Sequence, residues 1–73
     1  MTLFDILSHD ERVIVLSDVS SDNVYTWNQS LTLQLWHCSD YVWREIDVRT
    51  LSEEPKDFEA ARMKAIYWKA SQE

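Results

Sequence analysis

Glycine does not occur among the 73 residues of this chain. That absence limits its folds more than any residue that is present. A chain reverses direction most readily where one residue takes a positive φ, and glycine is the residue that does so without a steric penalty. Here every turn must instead use Asn, Asp or Ser, whose side chains bond nearby backbone and which tolerate unusual conformations. Such residues gather at three places: SDVSSDN over residues 17–23, NQS over 28–30 and CSDY over 38–41. The same absence removes phosphate-binding loops and dinucleotide fingerprints, because both bring glycine backbone against phosphate.

Between these turns lie segments with strand character. Residues 12–17 contain VIVL, apolar on consecutive positions and rich in β-branched residues. A continuous apolar strand is expected to be buried on both faces. Residues 24–27, 31–37 and 42–49 supply three more strands, and short connections between consecutive strands favour an antiparallel meander. A three-stranded sheet with residues 24–27 irregular is the alternative. With a three-residue loop at 28–30, the preferred register, Trp27 faces Leu31 and joins the core together with Tyr25; with a two-residue loop Trp27 faces Ser30 and both turn outward.

Helices are expected at both ends. Thr2 followed by Asp5 resembles a capping box, and Leu3, Phe4, Ile6 and Leu7 form an apolar stripe, which predicts a short helix over residues 2–9. Ser52 is placed to cap a C-terminal helix with Glu53, Glu54 and Pro55 in its first turn, where acids favour the positive end of the dipole and proline is tolerated. Within that helix Phe58, Ala61, Ala65 and Trp68 share one face.

The central hairpin carries the functional expectation. A four-residue loop at 38–41 sets Trp36 opposite Trp43, Gln34 opposite Glu45 and Thr32 opposite Asp47. It places Leu31, Leu33, Leu35, Val42, Ile46 and Val48 on the other face. A one-residue slip would mix apolar with polar positions, so the pattern favours this register. Trp36 and Trp43 then form a cross-strand pair on the face away from the C-terminal helix. One reading makes them a structural clasp that the N-terminal helix covers. The other makes them an aromatic patch rimmed by Gln34 and Glu45, the arrangement of a protein-binding hot spot.

Composition narrows the chemistry. Acidic residues outnumber basic ones 13 to 7, for a net charge of −6. Without a basic cluster to displace counterions from phosphates, neither nucleic acid nor an acidic membrane surface is an expected partner. VIVL is the longest apolar run in the body of the chain, far short of a membrane-spanning helix, and MTLFDILSHDE lacks the basic start of a signal peptide. The single cysteine, Cys38, fits a reducing, cytoplasmic setting. Adjacent strand residues point to opposite faces, so His37 is poorly placed to activate Cys38. His9, His37 and Cys38 lack the spacing of a zinc site.

The fold class expected is therefore α+β: an antiparallel meander of three to four strands, a short N-terminal helix, and a C-terminal helix packed on one sheet face. Residues 1–73 form one small domain. The expected function is a small acidic, non-enzymatic protein-interaction or regulatory module, with no cofactor, metal or small-molecule substrate. Its partner is another protein or a second copy of the chain, met through Trp36, Trp43, Gln34 and Glu45. The alternative is an acidic inhibitor of the phage type that imitates nucleic acid. Such a decoy needs carboxylates in rows, whereas here Arg44, Arg49, Arg62 and Lys64 interrupt them.

Overall fold

The computed structural model describes residues 12–72. The helix expected over residues 2–9 lies outside the described residues. Four antiparallel strands form one sheet in the order β1-β2-β3-β4: β1 is Val13–Asp18, β2 Asn23–Trp27, β3 Thr32–Ser39 and β4 Val42–Thr50. A single 3-10 turn, Val19–Ser21, joins β1 to β2, and the helix α1, Phe58–Gln72, ends the described chain. The α+β class and the four-stranded meander are thus present.

The turns show how a chain without glycine reverses. Asp22, Gln29, Asp40 and Tyr41 take positive φ of 54°, 64°, 52° and 64°. Two are the expected aspartates. Gln29 takes its conformation inside a loop closed by Asn28, whose Oδ1 accepts from the amides of Ser30 and Thr32. Tyr41 has no such local aid. Together with Asp40 it makes the two-residue turn between β3 and β4, the kind that needs left-handed backbone at both central positions and usually employs Asn-Gly.

The core lies between one sheet face and α1. Val15, Tyr25, Trp27, Leu33 and Leu35 meet Ala61, Ala65 and Trp68 there. Tyr25 and Trp68 contact edge to face, with ring centroids 5.4 Å apart at 74°. Such a pair contributes about 0.5–1.5 kcal/mol beyond the area it buries. Tyr25 and Trp27 are core residues as expected, but Trp27 faces Leu33 rather than Leu31. Leu31 is left exposed.

VIVL is accommodated differently from the expectation of a strand buried on both faces. Ile14 faces Thr26 and Leu16 faces Tyr25, so Val15 is an extra residue, a β-bulge. A bulge turns two successive side chains toward the same side. Val15 joins the core, and Val13 and Leu16 pack against it. Three of the four apolar residues are thereby used under the helix.

The helix also starts later than expected. Its cap is Asp57, whose Oδ1 accepts from the Ala60 amide at 2.9 Å, and not Ser52. Two physical reasons apply. The residue before a proline avoids helical backbone, so Glu54 resists being drawn into a helix. The chain must also travel from β4 at one edge to β1 at the other, against which α1 packs. That is three strand spacings, roughly 14 Å. Six residues of helix would rise only about 9 Å. Residues 51–57 therefore cross in non-helical form, with Pro55 buried on the way. Ala61, Ala65 and Trp68 occupy the buried helix face as expected, whereas Phe58, in the first turn, is 46% exposed.

Candidate functional site

The hairpin register decides which of the expected contact residues reach solvent. The four-residue loop is not formed. Ser39 pairs with Val42, Cys38 with Trp43, His37 with Arg44 and Trp36 with Glu45. Trp36 and Trp43 are not opposite each other. They remain on one face of the sheet, the face away from α1, because the register differs there by an even number of residues. Past Glu45 the register shifts again. Leu35 faces Asp47, Gln34 faces Val48 and Leu33 faces Arg49, which leaves Ile46 as an unpaired bulge residue. The expected apolar face is therefore split. Leu33 and Leu35 are in the core, while Ile46 and Val48 are 56% and 47% exposed.

Trp36 and Gln34 are each 4% exposed, so neither offers a contact surface on the described chain. They belong to a buried polar chain on the face opposite α1. Trp36 Nε1 donates to Thr26 Oγ1 at 2.8 Å, and the Thr26 hydroxyl donates to Gln34 Oε1 at 2.7 Å. Each buried polar atom in that relay has a partner, and breaking one would leave another unsatisfied at about 1–3 kcal/mol. The Arg12 guanidinium lies over the Trp36 ring, 5.2 Å from its centroid.

Trp43 is half-buried. It forms one wall of an open hollow of about 240 Å3 at the turn end of the sheet, with Val24, Val19 and Asp18 among the other walls. Glu45 is exposed on β4. Of the four expected contact residues the structure brings Trp36 and Gln34 together on β3, beneath the surface. It leaves Trp43 and Glu45 on β4.

The remaining candidates for chemistry are held apart. His37 Nδ1 lies 2.7 Å from Asn23 Oδ1, so the ring turns toward β2 on the helix side. Cys38 is a free thiol facing Trp43 on the opposite side. Among the described residues no three His, Cys, Asp or Glu side chains gather as metal ligands. No described helix is long and apolar enough to cross a membrane. The Asp18 carboxylate is held below its ordinary range. The Ser20 hydroxyl, donating to its Oδ1 at 2.8 Å, is the main cause, and Lys69 at 3.7 Å adds a smaller attraction.

The surface that reading the sequence missed is β4 itself. It is an outermost strand, and its residues 44–50 are all exposed. A signal for this was present. Charges at 44, 45, 47 and 49 fall on both faces of the strand, which suits an edge with water on both sides. Its amides alternate in direction. The Leu51 amide donates inward to Leu31 at 2.7 Å. By alternation Arg49 also points inward, and Val48 and Thr50 point away from the sheet. The Val48 amide meets no strand and donates instead to the Asp47 carboxylate at 2.8 Å.

Compared with models of known families, with curated proteins and with solved structures, the chain shows no significant match to any of them.

Proposed function

We propose that this chain is a small non-enzymatic protein-interaction module whose contact surface is the outer strand β4. The observation that carries this reading is the run of seven exposed residues 44–50 on a sheet edge, with Ile46 and Val48 largely in water. A sheet edge presents unpaired amides and carbonyls that bind an extended segment, and alternate side chains then select which segment. Natural edges are usually short, and this strand is nine residues long. The bulge at Ile46 and the Asp47 side chain on the Val48 amide blunt the edge without covering it.

The decoy reading requires rows of carboxylates. On β4 the acids Glu45 and Asp47 alternate with Arg44 and Arg49, which breaks any such row. The test is affinity capture from the native host with the wild-type chain and with an Ile46→Lys, Val48→Lys double variant. The module reading expects a partner that the wild type retains and the double variant loses. A partner retained equally by both, and lost when Glu53 and Glu54 are neutralised, would replace it with the decoy reading.

A further inference from the structure

Resting on that reading, we infer that the occupant of the β4 edge is a second copy of the same chain, paired antiparallel about a twofold axis through Val48. Charge and register lead to this choice. The chain as a whole carries −6, which repels a second copy, but residues 44–50 hold two arginines and two acids and are neutral. The edge is thus the stretch where a second copy meets least repulsion.

The outward amides restrict the registers. Antiparallel strands exchange hydrogen bonds between residues whose amides face each other, so outward Val48 and Thr50 must meet outward residues. Centring the pair on Val48 sets Val48 against its own copy. It also sets Asp47 against Arg49 of the second copy, and Arg49 against its Asp47. These two charge pairs occupy the non-hydrogen-bonded positions, where side chains come closest. The neighbouring register that sets outward Val48 against outward Thr50 is centred on Arg49. It opposes Arg49 to itself, which directly opposed like charges disfavour.

Asp47 has two partners in this scheme. In the single chain its carboxylate occupies the outward Val48 amide. In the pair, that amide donates to the second copy's Val48 carbonyl, and Asp47 turns to Arg49 across the axis. Arg49 lies on the helix side, its guanidinium 5.0 Å from the Trp68 ring centroid, and the stacked position holds it near the edge. A twofold axis normal to the sheet makes one eight-stranded sheet with both helices on the same face.

Sedimentation equilibrium, extended to millimolar protein, tests the pairing. The wild type is expected to dimerise. Val48→Pro removes an amide that points away from the sheet, which an edge strand tolerates, and is expected to be a folded monomer. The exchange Asp47→Arg and the exchange Arg49→Asp each oppose like charges in a homodimer, so each variant alone should associate more weakly, on the order of tenfold. An equimolar mixture of the two restores both charge pairs and should recover wild-type association. Circular dichroism of each variant checks that the fold is kept, and the mixing arm decides the matter even if the proline variant does not fold. Failure of the mixture to recover would overturn this register. A monomeric wild type that still captures a host protein through Ile46 and Val48 overturns self-pairing alone, and one that captures nothing overturns both readings.

Discussion

Tyr41 is the residue whose conformation and chemistry agree least. It sits 98% exposed in a two-residue turn at φ 64°, where its side chain gains no packing. Left-handed backbone destabilises such a residue by about 1–2 kcal/mol. Glycine would remove that strain but would add about 0.5–1 kcal/mol of unfolded-state entropy. Tyr41→Gly is therefore expected to stabilise the fold by up to about 1 kcal/mol, read as a higher urea midpoint at unchanged slope. A lower midpoint would mean that the tyrosine ring supports the turn in a way its exposure does not show. Asp18 gives a second prediction at this scale. Its carboxyl is held below the ordinary 3.8, first by Ser20 and to a lesser extent by Lys69. A depressed folded pKa stabilises the fold at pH above the unfolded value and loses that effect as pH falls through the folded value. Asp18→Asn should thus be less stable than wild type at neutral pH, and the gap should close on acidification below about 4. Thermal unfolding followed at several pH values measures it, and a gap independent of pH would assign the role of Asp18 to packing instead.

At the scale of elements, legibility followed burial. Strands that bury a face could be read. Tyr25, Trp27, Leu33 and Leu35 reach the core as expected, and so do Ala61, Ala65 and Trp68. Strand β4 could not be read in the same way, because alternation specifies register only where one face is buried. Its apolar Ile46 and Val48 resembled a core face and are exposed. The turn at Asp40 and Tyr41 lacked the glycine that normally announces it, and the bulge at Ile46 leaves no mark in composition. The turn moved Trp36 from opposite Trp43 to opposite Glu45, and the bulge shifted the pairing beyond it. Bulges explain β1 in the same terms, since Val15 lets a continuous apolar run serve one face. The helix start was misplaced because Ser52, Glu53 and Glu54 satisfy local capping rules, whereas the span across the sheet requires an extended connection. Asp57 therefore carries the cap. Asp57→Ala should destabilise the fold by about 1 kcal/mol, and Ser52→Ala should leave it nearly unchanged. Denaturant titration of both variants checks this, and equal losses would return the cap to Ser52.

The whole molecule combines a strongly used sheet interior with an unfinished edge. Aromatic residues are buried on both sides of the sheet, Tyr25 and Trp68 in the core beneath the helix and Trp36 on the other face. The aromatics that reach solvent are scattered, Tyr41 on a turn and Phe58 and Tyr67 on the helix. The outer row of β4 amides and carbonyls, flanked by the exposed Ile46 and Val48, is a continuous stretch instead. The function proposed for this chain depends on that row being a contact surface. Amide hydrogen exchange, resolved by residue and measured at low and high protein concentration, tests it directly. The inward amides of Arg49 and Leu51 should be protected at both concentrations by pairing with β3 and its flanking loop. Those of Val48 and Thr50 should exchange readily in dilute solution and become protected when the protein is concentrated. If Val48 and Thr50 exchange as readily in the concentrated sample while Arg49 stays protected, β4 is not where the copies meet.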